Sequence, residues 1–180
     1  MKTLLTKHST FFFLTLVIMS ILVFMVARQE IILQSDHVVI LKTRPVDPRD
    51  LFRGEYVILR YEIEQNDKVQ DIVIENDLTD GQEIFLGLEE DSKTKLYSVV
   101  QVALSLPADD DLWIKGEVWG SSVRFSNLEQ YFVPEGSGRA IEEMGSDIHA
   151  EIALKNGNAR IIRLLDKDLE SIDPRDFLSH

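Results

Sequence analysis

Near the amino terminus the apolar positions do not alternate at all: Phe11 to Ala27 (FFFLTLVIMSILVFMVA) runs without a charge and is interrupted only by Thr15 and Ser20. At 1.5 Å per helical residue the run is about 26 Å long, close to the ~30 Å hydrocarbon core of a bilayer, which predicts a transmembrane helix. Lys2 and Lys7 precede it, and Arg28 and Glu30 follow. The basic start favours an amino terminus kept in the cytoplasm and a remainder sent across the membrane. A cleaved secretory signal is the competing reading, but it needs a shorter apolar core and a small-x-small site. Here Met25 or Phe24 stands where the second small residue would be. The predicted organisation is a cytoplasmic N-terminus at 1–10, an uncleaved signal anchor at 11–28 and an extracytoplasmic domain at 29–180.

Beyond the anchor the period changes to two. Glu55 to Glu64 (EYVILRYEIE) places Val57, Leu59, Tyr61 and Ile63 on one face, the core face, and Tyr56, Ile58, Arg60 and Glu62 on the other. Further strands are expected at Val38 to Lys42, Glu83 to Leu88, Lys95 to Leu106, Leu112 to Trp119, Ser122 to Phe125 and Leu128 to Val133. The clearest element is a hairpin within Ile148 to Leu165, because Asn156-Gly157 separates two apolar-patterned arms. Two segments read as helical turns. Asp47-Pro48-Arg49-Asp50 has the grammar of a helix start, repeated at Asp173-Pro174-Arg175-Asp176, and Arg139 to Met144 fits one or two turns. The fold class expected is mainly β: an antiparallel sandwich or partly open barrel with one or two short helices.

Composition narrows the function classes. Residues 1–30 hold three of the 19 Lys+Arg and one of the 31 Asp+Glu, so the remainder carries 16 − 30 = −14. That charge repels phosphate backbones, and no basic stripe offsets it, so nucleic acid is excluded as a partner. Zero cysteines remove disulfides, thiol catalysis, thiolate metal sites and a lipid-anchor box together. The four histidines, His8, His37, His149 and His180, lack ligand spacing, and His149 reads as a residue on the polar face of a strand. Neither a metal nor any cofactor is expected.

Two blocks stand out. The first is Arg44-Pro45-Val46-Asp47-Pro48-Arg49-Asp50-Leu51-Phe52-Arg53-Gly54-Glu55-Tyr56-Val57-Ile58-Leu59-Arg60-Tyr61, in which prolines, a cap and Gly54 give a tight entry to a strand. The second is Tyr131-Phe132-Val133-Pro134-Glu135-Gly136-Ser137-Gly138-Arg139, an amide-rich turn without the Gly-Lys-Ser/Thr ending of a phosphate loop. Structural punctuation is preferred over a ligand site for the first block, and an ordinary strand-to-helix turn over an anion cradle for the second. With these letters the chain resembles the GDYxxLxY family of bacterial membrane-anchored proteins, although Glu55 stands where that family usually has Asp. The resemblance implies a single span in the inner membrane and a multi-spanning membrane protein as partner, and it brings no reaction with it. The candidate interaction residues are Asp47, Pro48, Arg49, Arg53, Gly54, Glu55, Tyr56, Leu59 and Tyr61 from the first block, and Tyr131, Phe132, Pro134, Glu135, Gly136, Gly138 and Arg139 from the second.

No catalytic residue is assigned. A signal-peptidase-like hydrolase would need a nucleophilic serine after the span and a lysine base, for which Ser35 and Lys42 are the candidates, without a recognisable activating context. Trp113 and Trp119 lie on one face of one strand and are expected in the core. The function expected is non-enzymatic: an anchored β-domain that binds, or helps assemble, a larger membrane protein. A tethered hydrolase and a small-ligand sensor are the alternatives, and the hydrolase requires the two blocks to converge in one cleft.

Overall fold

In a computed structural model, residues 2–33, 35–44, 56–108 and 112–177 are described. The chain begins with one long helix, α1 (Lys2–Leu33). Every side chain described over residues 12–27 is exposed, so contact with the rest of the molecule, at β9 and β10 below, falls near the helix's C-terminal end, where Ile32 is half-buried. The segment expected to span thus lies inside a continuous helix. The crossing itself is not shown: among the described residues no helix is long and apolar enough to cross a membrane.

The remainder is mainly β and wholly antiparallel in its named strands. Its elements are β1 (Val38–Arg44), β2 (Tyr56–Ile58), β3 (Arg60–Tyr61), α2 (Asp67–Glu75), β4 (Glu83–Glu90), β5 (Tyr97–Ala103), β6 (Trp113–Trp119), β7 (Ser122–Arg124), β8 (Gln130–Phe132), α3 (Gly138–Glu143), β9 (His149–Lys155) and β10 (Asn158–Leu165). One four-stranded sheet has the order β10-β9-β1-β3, a second has β5-β4-β6-β7, and β2 pairs with β8 in a separate ribbon. The expected strands are all present. The expected long strand at Glu55 to Glu64 is corrected, however, and the run at Lys95 to Leu106 contributes only β5.

The hairpin β9–β10 forms as the turn letters require. Asn156 has φ +50 and Gly157 φ +76, the pair of positive values that a two-residue hairpin turn needs for its twist to match the strands. A bulge between Ile161 and Arg163 leaves Ile162 as the extra residue, which is why two consecutive isoleucines fit a strand of period two. The two four-stranded sheets face each other across a single core that includes Val39, Leu41, Ile84, Leu86, Ile114 and Ile152, all fully buried. They touch at a seam where the Lys115 amide donates to the Gly157 carbonyl at 2.8 Å and Ile114 bridges Gly157, giving a half-closed barrel.

Helix α2 had no counterpart among the expected elements. Asn66 caps it, its side-chain oxygen accepting from the Lys68 amide at 3.0 Å, and Val69 and Val73, one turn apart, bury its inner stripe. Its nine residues are amphipathic at the helical period, a signal present in the letters that the strand-centred reading passed over.

Candidate functional site

The two sequence blocks meet. Tyr56 pairs with Phe132, Val57 with Tyr131 and Ile58 with Gln130, and the ladder continues where the Leu59 amide donates to the Glu129 carbonyl at 2.8 Å. Alternation then separates two faces. Val57 and Leu59 enter the core beside half-buried Tyr131, whereas Tyr56, Ile58 and Phe132 form the outer surface. On that surface Phe132 is 72 % exposed, and its ring meets Tyr56 edge-on at 6.1 Å. The result is an aromatic ribbon at the end of the domain reached by the last residue of β1, Arg44.

Below the ribbon the chain changes partner. At Leu59 it leaves β8, and as β3 it pairs with β1, Tyr61 opposite Thr43 and Arg60 opposite Arg44. It then turns immediately into a 3-10 turn, Glu62–Gln65. This corrects the single strand expected from the alternating pattern. The expected core residues Val57, Leu59, Tyr61 and Ile63 are all buried, but the turn also brings Glu64 inside, where strict alternation would have placed it in water.

Glu64 organises a compact charge cluster. Two arginines stand opposite each other across β1 and β3, an arrangement that repels unless carboxylates intervene. They do: Arg44 reaches Glu64 at 3.5 Å, Arg60 pairs with Glu129, and Lys42 meets Glu62 at 3.0 Å on the outer side. Glu64 is 2 % exposed, and among the described residues its Oε1 and the Nε of Arg44 have no hydrogen-bond partner. Burial pushes its carboxyl up to about 7, against the opposing pull of Arg60, Arg44 and the Tyr61 amide.

Tyr61 forms the floor. Its hydroxyl donates to the Leu128 carbonyl at 3.0 Å, its ring meets Phe125 edge-on at 6.1 Å, and burial raises its pKa far above the usual phenol value. It is a structural tyrosine.

The second block is an ordinary strand-to-helix turn. Gly136 adopts φ +92, and the fully buried Ser137 donates its hydroxyl to the Pro134 carbonyl at 2.7 Å, so that hydroxyl is engaged within the turn itself. Pro134, Glu135 and Gly136 are exposed, and Gly138 opens α3. Tyr131 has its pKa raised, first by burial and then by Asp173. That aspartate caps a 3-10 turn, Pro174–Phe177, and clamps Arg175 at 2.6 Å, so the second Asp-Pro-Arg-Asp run serves as a capping turn. Asp47, Pro48, Arg49, Arg53, Gly54 and Glu55 lie outside the described residues, as does the side chain of Arg139.

Several candidate chemistries do not assemble. The Ser35 hydroxyl donates to the Leu154 carbonyl, and Lys42 is held by Glu62 at the far end of β1, about 20 Å along an extended strand. Among the described residues no group of three or more metal-ligating side chains occurs. His149, expected on a polar face, is buried instead, and burial together with Lys42 lowers its pKa. Trp113 is 5 % exposed as expected, whereas Trp119 is 52 % exposed and carries Arg124 over its ring at 3.9 Å. The shared face of β6 is covered only at the Trp113 end, where the indole lies against Gly87.

Sequence reasoning missed Glu64, Arg44 and Glu129 as members of the cluster. No local signal marks them, because the pairing depends on a strand that changes sheets. No curated protein and no solved structure matches the chain. The family model described as GDYXXLXY protein matches residues 18–164, from within α1 almost to the end of β10, and the chain therefore belongs to the GDYXXLXY family.

Proposed function

We propose that this chain is a single-span protein of a bacterial inner membrane, held by α1 with its amino terminus in the cytoplasm. Its β-domain lies on the opposite side and acts as a non-enzymatic binding or assembly partner of a multi-spanning membrane protein. The observation that carries this reading is the Tyr56–Phe132 ribbon. Both sequence blocks meet there in an exposed aromatic surface, and among the described residues the charges beneath pair with one another, Arg60 with Glu129 and Arg44 with Glu64. Aromatic residues on a rigid ribbon are the side chains that anchor protein interfaces at low entropic cost. The anchor reading is supported by the exposed apolar side chains of residues 12–27 and by Lys2 and Lys7 ahead of them.

A hydrolase reading draws on the meeting of the two blocks, which it requires, and on the near-neutral titration of Glu64, but that carboxyl is buried. The partner reading is tested by placing a photo-crosslinking residue at Phe132 of the full chain in its own membranes. A discrete adduct with an integral membrane protein supports it; adducts with lipid alone reject it. Sidedness is tested separately. The chain has no cysteine, so Ser92→Cys in an exposed turn gives one thiol for a membrane-impermeant maleimide. Labelling in intact cells with a permeabilised outer layer is expected, and labelling only after inner-membrane lysis would reverse the orientation.

A further inference from the structure

The apolar character of α1 does not end with its uncharged run. After Arg28, Gln29 and Glu30 the helix continues through Ile31, Ile32 and Leu33, and Leu33 is exposed. Leu33 stands six residues beyond Ala27, about 9 Å of helical rise. The headgroup layer on one side of a bilayer is roughly 5–7 Å thick. With the run at 11–27 in the hydrocarbon core, the end of α1 and whatever is fixed to it therefore stand at the membrane surface.

The β-domain is fixed to that end closely. The Ser35 amide donates to the Ile32 carbonyl at 3.1 Å, the Ser35 hydroxyl to the Leu154 carbonyl, and the Leu154 amide to the His37 carbonyl at 2.9 Å. Leu154 and Lys155 end β9, so this junction lies beside the hairpin turn at Asn156-Gly157. Against the same turn packs the segment that follows β5: a Cβ on Gly157 would stand 3.5 Å from Leu106 and 3.1 Å from Phe85, which pairs with Ala103. One end of the domain thus gathers Leu33, Val38, Leu104 and Leu106, all exposed, beside the point where α1 enters.

Charge sets this end apart. The described residues there, 33, 35–38, 104–108 and 155–159, include one acidic and one basic side chain, Asp36 and Lys155, in a domain of −14. Asp109, Asp110 and Asp111 follow in sequence and lie outside the described residues. An acidic domain is repelled by an anionic leaflet, so the surface this end suits is one of neutral, zwitterionic headgroups.

We propose that this end of the β-domain seats on the phospholipid surface, with Leu33, Val38, Leu104 and Leu106 entering the interface beside the anchor. The inference rests on the reading of α1 as a membrane span. Apolar tips flanked by Ser105, Pro107 and Asn156 suit that boundary, where the side chains reach the acyl region and the polar groups stay among headgroups. A protein partner needs roughly 800 Å² from each side, more than four partly open side chains offer. Lipid sets no such threshold, and α1 already holds the domain beside it, so a small contact suffices.

The test uses the full chain, which has no cysteine, reconstituted alone in phosphatidylcholine vesicles. An environment-sensitive fluorophore is attached in turn to Leu104→Cys, to Val23→Cys in α1, and to Ser92→Cys in the β4–β5 turn, at the far end of β5 from Leu104. Nitroxide lipids carry the quencher either near the headgroup or deep in the acyl chain. The expected result is blue-shifted emission at Leu104, quenched several-fold more by the shallow nitroxide than emission at Ser92, with Val23 quenched most by the deep one. Val38→Cys, exposed on β1, gives a second reading of the same end, and an unchanged thermal transition shows that each variant keeps the fold. A Val23 label that neither nitroxide reaches overturns the anchor and the seat together. Quenching at Val23 with Leu104 and Val38 quenched no more than Ser92 overturns the seat alone. Leu104 emission that returns to the red as the protein is diluted into more vesicles of the same composition shows that a second copy covers it, and this too overturns the proposal.

Discussion

The same side chains behave in opposite ways in α1 and in the β-domain. Phe12 is 73 % exposed, and its apolar neighbours through residue 27 all face outward, while Ile152, Leu41 and Ile84 in the sheets are fully buried. The domain closes its own core, and the helix has none. Apolar surface costs about 25 cal/mol per Å² while it stays in water, and the core of the β-domain does not cover that of residues 12–27. The two regions are therefore expected to respond to different experiments.

The largest effect separates them outright. Leu16→Arg combined with Ile21→Arg places two guanidinium groups in the apolar run, each costing roughly 3 kcal/mol at a membrane centre. The chain is expected to move from the membrane pellet to the soluble fraction with the domain's thermal transition unchanged. Retention in the pellet would remove the anchor.

Next in size is a core truncation. Ile152→Ala, in β9 between β1 and β10, is expected to cost about 2–5 kcal/mol in urea unfolding. Ile18→Ala in the helix is expected to leave that transition in place. Equal losses would mean that helix and domain share a core.

A third test concerns charge inside the domain. The folded-state pKa of Glu64, about 7, lies above its ordinary 4.5, so between those values the folded chain binds more protons than the unfolded one. Stability from this group is therefore complete below about pH 4.5, falls as pH rises, and is lost above about 7; the change is at most roughly 3 kcal/mol. Glu64→Gln is expected to flatten that part of the pH–stability curve and to raise stability at pH 8. A curve of unchanged slope would show that Glu64 stays ionised in the fold.

The smallest effect on folding carries the most functional weight. Phe132→Ala removes an exposed ring and is expected to shift stability by no more than about 0.5 kcal/mol. Co-purification with the membrane partner is expected to be lost all the same. Retained partner binding would move the interface off the ribbon.

Legibility followed the range of the interactions. The hairpin β9–β10 could be read because its turn is decided by two adjacent residues, Asn156 and Gly157, and its burial by alternation within each arm. The inward face of the motif strand was readable for the same reason, through Val57, Leu59, Tyr61 and Ile63. Burial of Glu64 was not, because the 3-10 turn that carries it inward forms only once β3 has left β8 for β1. Trp119 was misplaced because alternation assigns a face and not how far along the strand that face stays covered.

By itself, then, the sequence determined the apolar helix, the mainly β class, most strand positions and the family, through patterns of residues a few positions apart. Only the tertiary structure decided that the two blocks, some seventy residues apart, pair as one ribbon, and that Arg44, Arg60, Glu64 and Glu129 share one site. Those outcomes depend on which strand edges find each other, a choice set by the packing of the whole core and written in no local run of letters.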